Sequence, residues 1–161
     1  MVNGSRRWRG TLKSNPMSEL IRMDNMGIVV ESLDKAIAFF SEIGLKLEGR
    51  MMVEGPWAGR VTGFPDQKVE IAMMVTPDGH SRLELSRFLE PATIEDHRLA
   101  PVNALGYLRA MFTVSDIDEL VSRLKEQGAT LVGEIVQYEQ AYKLCYIRGL
   151  EGLLVGLAQP L

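Results

Sequence analysis

The chain has 161 residues, 46% of them hydrophobic and 24% charged, which fits one compact globular domain or two small, closely fused modules and excludes a disordered chain. A net charge of −3 gives a nucleic-acid partner no electrostatic support, and no apolar run reaches the roughly 20 residues that would cross a bilayer. The single cysteine, Cys145, excludes an internal disulfide framework and predicts a reducing, cytoplasmic location.

Residues 1–20 differ in composition from the rest of the chain. Arg6, Arg7, Arg9 and Lys13 stand there among Asn, Gly, Ser and Pro. A secretory signal would need an apolar stretch of about 7–15 residues after these charges, and none follows. We expect a disordered leader; a basic arm that contacts phosphate is the alternative.

An internal repeat organises the remaining residues. Adding 84 to a residue number maps Val30 onto Val114, Asp34 onto Asp118 and Gly44 onto Gly128. Each copy opens with an apolar, β-branched run, which predicts a strand. The chain is therefore predicted to contain two similar modules.

A helix follows the first strand of each module. Four apolar residues stand at i, i+3, i+4 and i+7 in both copies: Leu33, Ala36, Ile37 and Phe40, then Ile117, Leu120, Val121 and Leu124. This spacing predicts one apolar helical face that covers a sheet. Ser32 and Asp116 are suitable N-caps, and Gly44 and Gly128 can end the two helices.

Three strand-like runs then complete each module. They are 45–52, 69–75 and 82–88 in the first copy, and 130–137, 142–147 and 153–158 in the second. Each module therefore has the order β-α-β-β-β, and the fold class is α+β. We expect one domain over residues 21–160, with modules at 21–88 and 106–159 and a connector at 89–105.

The first strand carries a recognisable motif. It reads Asp24-Asn25-Met26-Gly27-Ile28-Val29-Val30, and the last strand of the same module contains Leu83-Glu84-Leu85. Together with the two βαβββ modules, these runs resemble the vicinal oxygen chelate superfamily, which includes glyoxalase I, extradiol dioxygenases and bleomycin-resistance proteins. The resemblance implies a curled mixed sheet whose concave cup holds the ligand, and it implies a homodimer.

Catalytic members of that superfamily usually hold a metal in the cup with His and Glu side chains. The corresponding positions here are Asn25, Glu84, Arg109 and Gly156, so only Glu84 keeps a metal-binding side chain that is ionised at pH 7. We therefore expect no metal and no other cofactor. We also expect the Arg109 guanidinium to replace the charge of the metal, with Arg109 and Glu84 facing either each other or a shared ligand.

Further residues are candidates for the wall of the cup. Strand alternation places Arg82 on the same face as Glu84. The segment 54–60 is predicted to be a loop over the mouth of the cup, where Trp57 could stack on a planar ligand and Arg60 could bind an anion. Tyr107 is a further candidate for the wall.

Two functions follow from these residues. The first is a metal-free protein that binds a small organic molecule, which could be an anion, in the cup or in the dimer groove. The alternative is a glyoxalase-type isomerase or lyase, or a dioxygenase-like enzyme, in which Glu84 is the general base or a metal ligand. A purely structural dimeric scaffold is a third possibility, and neither nucleic acid nor membrane is an expected partner.

Overall fold

The structure of the protein is a computed structural model. It describes residues 18–106 and 109–161. The predictions for the leader, up to residue 17, and for Tyr107 lie outside the described residues.

The first module forms a four-stranded sheet. Its elements are β1 (Met26–Val29), α1 (Leu33–Ile43), β2 (Lys46–Glu54), α2 (Pro56–Thr62), β3 (Lys68–Val75) and β4 (Arg82–Glu90). The strand order is β1-β4-β3-β2, and β1 runs parallel to β4 while the other pairs are antiparallel. One edge of β1 is therefore left without a partner strand in this sheet.

The second module repeats this order. Its elements are β5 (Arg109–Thr113), α3 (Ile117–Glu126), β6 (Thr130–Leu131), β7 (Val136–Tyr138), β8 (Tyr142–Arg148) and β9 (Leu154–Pro160). The order is β5-β9-β8-β6, with β7 also paired to β8, and β5 runs parallel to β9. The α+β fold class is thus confirmed. The strand predicted at 130–137 is interrupted between β6 and β7 where Gly133 lies, a residue that weakens strand pairing.

The two long helices begin at the predicted N-caps, and α1 ends at Gly44 as predicted, whereas the C-cap of α3 is Gln127, one residue before Gly128. The Ser32 hydroxyl accepts a hydrogen bond from the Lys35 N–H at 3.3 Å, and the Asp116 carboxylate accepts one from the Glu119 N–H at 3.0 Å. Gly44, with φ of 124°, ends α1 in a conformation that favours glycine. The Ser32 and Asp116 side chains thus supply acceptors for N–H groups that the first turn of a helix leaves unpaired.

The prediction of a loop at 54–60, after β2, is wrong in its local structure, because most of this segment belongs to the short helix α2. Pro56 occupies the start of α2, where its fixed φ suits a helix and its missing N–H costs nothing. Gly63 ends α2 in the left-handed conformation, with φ of 84°.

Both helices bury their apolar faces in one core that the modules share. Its fully buried members come from both halves and include Phe40, Met74, Leu85, Ile117, Leu124 and Ile147. The Phe40 ring of α1 meets the Phe112 ring of β5 edge to face, with centroids 6.3 Å apart. The modules are therefore joined by packing as well as by the chain. Among the described residues, no helix is long and apolar enough to span a membrane.

Candidate functional site

Each sheet has one face turned away from the helix of its module, which we call the helix-free face. In the first module Ile28, Leu85 and Ala72 lie side by side and are turned towards the core. The next set in register, Gly27, Glu84 and Met73, must point the opposite way because side chains alternate along strands. In the second module the equivalent set is Met111, Gly156 and Tyr146.

Glu84 has an unusual environment on the first helix-free face. It is half-buried, and none of the described residues gives its carboxylate a hydrogen bond or an ion pair. The other carboxylates that are not fully exposed, Glu42, Glu70 and Glu151, each pair with an arginine. A half-buried carboxylate without a protein partner is a group that a ligand can satisfy. Gly27 beside it leaves open space, since a Cβ built there would meet nothing within 4 Å.

Asn25 is committed to a neighbouring side chain. It lies just before β1, and its amide donates a hydrogen bond to the Asp24 carboxylate at 3.0 Å. This bond, followed by the one from Arg22, lowers the pKa of Asp24. Asn25 is half-buried. With one amide N–H bound to Asp24, its amide oxygen and its other N–H are the side-chain groups left for a ligand.

Arg109 begins the equivalent strand, β5, and lies on an aromatic ring. Its guanidinium carbon stands 4.6 Å from the centroid of the Tyr146 ring. No carboxylate among the described residues lies within ion-pair distance of it, so Arg109 and Glu84 form no direct ion pair. That both face a shared ligand stays a prediction. Arg109 is exposed, and its charge is available to a ligand.

Gly156 explains why the arginine can take this position. A Cβ at residue 156 would stand 2.7 Å from Met111 Cε and 3.3 Å from Arg109 Cδ. The side chains from β5 therefore cross directly over β9, and Arg109 reaches Tyr146 on β8. The space above residue 156 is filled by neighbouring side chains.

Arg82 shares the helix-free face with Glu84, as predicted, but its charge is compensated within the module. Its guanidinium makes two hydrogen bonds to the Glu48 carboxylate, at 2.8 and 3.0 Å. This paired geometry raises the pKa of Arg82 and lowers that of Glu48. A ligand would have to compete with Glu48 for Arg82.

Trp57 and Arg60 lie on α2, and the turn after this helix covers one end of the same face. The Phe64 ring meets the Phe88 ring of β4 edge to face at 6.4 Å. Trp57 is 54% exposed, and Arg60 has no ion-pair partner among the described residues. Both side chains are exposed on α2, and their predicted place at the mouth of the cup stays a prediction.

A network that the sequence did not suggest joins the connector to both modules. Arg98 donates to Asp96, Glu31 and Glu151, and Glu151 accepts N–H bonds from Glu31 and Ser32 at the start of α1. Arg148 donates to the carbonyls of Arg98 and Ala100. These partners are up to 120 residues apart, and no local pattern indicates them.

The same network lines a cleft of about 410 Å³ between the end of β1 and the start of β9. Connector residues 93–98 line one side of this cleft. Arg98 and Glu151 already pair with each other, and Arg148 donates to nearby backbone carbonyls. We interpret the network as a latch between modules, and it contributes few free polar groups to a ligand.

The residues at the superfamily's metal positions do not fit a divalent metal. A stable site needs three or four N, O or S donors, whereas this set offers one carboxylate, an amide engaged by Asp24, a cationic guanidinium and a glycine. No group of three or more His, Cys, Asp or Glu side chains that could hold a metal lies in the described parts of the chain. No catalytic step through a metal is derived from this site.

Two βαβββ modules with a shared helical core and two helix-free faces define a glyoxalase-like protein. The family model of the Glyoxalase/Bleomycin resistance protein/Dioxygenase superfamily matches residues 24–146. The chain belongs to this superfamily, and the resemblance to the vicinal oxygen chelate proteins is thereby confirmed.

Solved structures give the same result. A glyoxalase family protein from Bacillus cereus is 72% identical, with a TM-score of 0.89, over 92% of this chain and 99% of its own. The trypanothione-dependent glyoxalase I of Leishmania major is 18% identical, with a TM-score of 0.63 over 87% of each chain, and shows the fold alone. A glyoxylase/bleomycin resistance protein/dioxygenase domain from Frankia sp. likewise shares the fold, at 18% identity and a TM-score of 0.62 over 89% of this chain and 100% of its own. No functionally curated protein matches the chain in sequence.

Proposed function

We propose that this protein binds a small organic molecule without a metal, in the cup lined by the helix-free faces or in the groove between two subunits. The observation that carries the proposal is the pair of unsatisfied charged groups at superfamily ligand positions. Glu84 is half-buried without a partner, and Arg109 has an aromatic support but no counter-ion among the described residues. A hydrogen-bond donor on the ligand would pair with the Glu84 carboxylate, and an acceptor or anionic group would pair with the Arg109 guanidinium.

Apolar side chains around these groups support an organic ligand. Val29 on β1, Met111 on β5 and Met51 on β2 are each exposed by about half. A pocket with a few polar groups on a largely apolar wall suits a small organic molecule. The unbranched methionines can also adapt to ligands of different shape.

A homodimer in the cytoplasm is part of this proposal. The exposed Val29, Met51 and Met111 side chains lie on sheet faces, and a second copy of the chain opposite them would form the groove in which the ligand lies. Cys145 is a buried, free thiol, and burial raises its pKa, which suits an unreactive core residue in a reducing compartment.

The competing function is an isomerase or lyase in which Glu84 is the general base. The lack of a partner for the Glu84 carboxylate among the described residues favours it, because a base must be free to accept a proton. Substitution separates the two functions. Glu84→Gln would abolish turnover and spare affinity in an enzyme, whereas Arg109→Ala would weaken affinity in a binding protein for which no turnover is detected.

Native mass spectrometry of the untagged protein tests the main proposal. We expect a dimer that carries an organic molecule, released on denaturation, and no stoichiometric metal. For the affinity test of Arg109→Ala, Arg50→Ala is the matched control, because Arg50 pairs with Asp34 of α1 on the opposite side of its sheet. A stoichiometric zinc, nickel, manganese or iron ion would overturn the metal-free proposal.

A further inference from the structure

Arg109 differs from nearly all other arginines in the described residues. The others, apart from Arg60, form an ion pair with a carboxylate or donate to backbone carbonyls; they are Arg22, Arg50, Arg82, Arg87, Arg98, Arg123 and Arg148. Arg60 stands in the last turn of the short helix α2, and no aromatic ring of the described residues supports its guanidinium. Arg109 therefore combines a fixed position with an uncommitted charge.

Three neighbouring strands create this position. Arg109 starts β5 beside Leu154 of β9, and the adjacent residue on the same face of β9 is Gly156. Because Gly156 has no side chain, the Arg109 stem passes over β9 and its guanidinium rests on Tyr146 of β8. A Cβ at residue 156 would press on the Arg109 stem and on Met111.

A guanidinium that lies near the face of an aromatic ring keeps the N–H groups at its edge available. The ring restricts the side chain before a ligand arrives, so less conformational entropy is lost on binding. A carboxylate matches two parallel N–H donors of a guanidinium better than a neutral amide does. The adjacent Met111 side chain, 44% exposed, offers an apolar surface beside this charge.

We propose that Arg109, supported by Tyr146 and admitted by Gly156, is the carboxylate-binding subsite of this protein, and that its ligands are small organic carboxylates with an apolar body. The inference rests on the proposed function, because it assigns a ligand class to the same site. The carboxylate pairs with the Arg109 guanidinium, and the apolar body lies on Met111. Gly156 is then a positioning residue, since it acts only through Arg109.

Isothermal titration with benzoate and benzamide tests the subsite, because the two probes share a ring and differ in charge. We expect wild-type protein to bind benzoate at least about tenfold more tightly than benzamide. Arg109→Gln should weaken benzoate binding by about tenfold or more and leave benzamide binding unchanged. Arg50→Gln, which removes a positive charge from the opposite side of its sheet, is the control and should change neither.

Two further variants test how Arg109 is held. Tyr146→Leu should weaken benzoate binding about two- to fivefold, because the ring support is lost while the charge remains. Gly156→Ala should also weaken it, because the new Cβ displaces Arg109. Gly133→Ala is the matched control, since a Cβ there meets nothing within 4 Å. Circular dichroism confirms that each variant is folded before titration.

The outcomes separate this inference from the proposed function. If benzoate binds no better than benzamide, or if Arg109→Gln leaves benzoate binding intact, the carboxylate subsite is overturned. A native mass spectrum that still shows a bound organic molecule would then leave the proposed function standing. If neither probe binds and the protein carries no organic molecule, both are overturned.

Discussion

The helix-free faces of the two modules share a backbone and differ in chemistry. In both, a first strand pairs in parallel with a last strand at the same register, Gly27 beside Glu84 and Met111 beside Gly156. The first module places its small residue on the edge strand and its acid on the inner strand. The second module places a large residue on the edge strand and glycine on the inner one.

This exchange decides which charge each face presents. The open space at Gly27 leaves the Glu84 carboxylate accessible, whereas the space above Gly156 is filled by Met111 and Arg109. One face therefore offers an acceptor and the other offers a cation. The two modules therefore share packing and register, while single side chains at equivalent positions set the chemistry of each face.

The largest expected effect comes from restoring the superfamily's ligand set. The triple variant Asn25→His, Arg109→His and Gly156→Glu adds two imidazoles and a carboxylate to Glu84. In isothermal titration calorimetry we expect this variant to bind nickel or zinc with a dissociation constant near micromolar, which is a binding free energy of about −8 kcal/mol. The wild-type protein should show no such binding.

The same variant tests whether the two faces meet. Met111 Cε lies at the end of a flexible side chain and can move away from a glutamate at residue 156. A folded triple variant that still fails to bind either metal would show that the four positions do not converge in one cup. Tight metal binding at this site by the wild-type protein would contradict the conclusion that its four residues supply too few donor atoms for a divalent metal.

The shared core is the next target. Phe40 is fully buried and contacts Phe112 of the other module. Phe40→Ala should lower the free energy of unfolding by about 3–5 kcal/mol, because it leaves a cavity that both modules line. Chemical denaturation should remain a single transition. Two separated transitions would mean that the modules unfold independently.

Alanine at the two contrasting glycines should have effects of opposite sign. Gly27→Ala meets no neighbour and restricts the unfolded chain, so it should raise the free energy of unfolding by about 0.4–1 kcal/mol. Gly156→Ala should lower it by about 1 kcal/mol, because Met111 and Arg109 must shift. Thermal and urea unfolding measure both. Equal effects would contradict the difference in space between the two faces.

The smallest expected effect concerns an ion pair between the helices of the two modules. Arg123 of α3 donates to the Glu42 carboxylate of α1 and lowers its pKa below the ordinary value of 4.5. A lowered carboxyl pKa stabilises the fold above pH 4.5, and this contribution is lost as the pH falls below that value. The difference in melting temperature between wild type and Glu42→Gln should therefore shrink as the solution is acidified from pH 6.

Glu126→Gln controls for the loss of a carboxylate, because Glu126 is an exposed residue of α3 with no ion-pair partner among the described residues. Its melting temperature should follow that of the wild type through the same acidification. A constant difference between wild type and Glu42→Gln would show that the ion pair contributes no pH-dependent stability.

Local patterns in the sequence determined most of the fold. The repeated apolar stripes, the Ser32 and Asp116 caps and the alternating strands predict both modules, because each rests on residues close together in the chain. The exceptions are also local in origin. Pro56 and Gly63 turn the predicted loop into α2, and Gly133 divides the predicted strand 130–137.

Only the tertiary structure decided which charges remain free. The sequence singled out Arg82, Arg109 and Glu84 together, yet Arg82 is paired with Glu48 while Arg109 rests on Tyr146. The latch between the modules includes the ion pair of Arg98 with Glu151, two residues that no spacing or motif in the sequence relates to each other. Pairing of this kind depends on strand register and on distances across the sheets, since residues far apart in the chain become neighbours only when the modules pack.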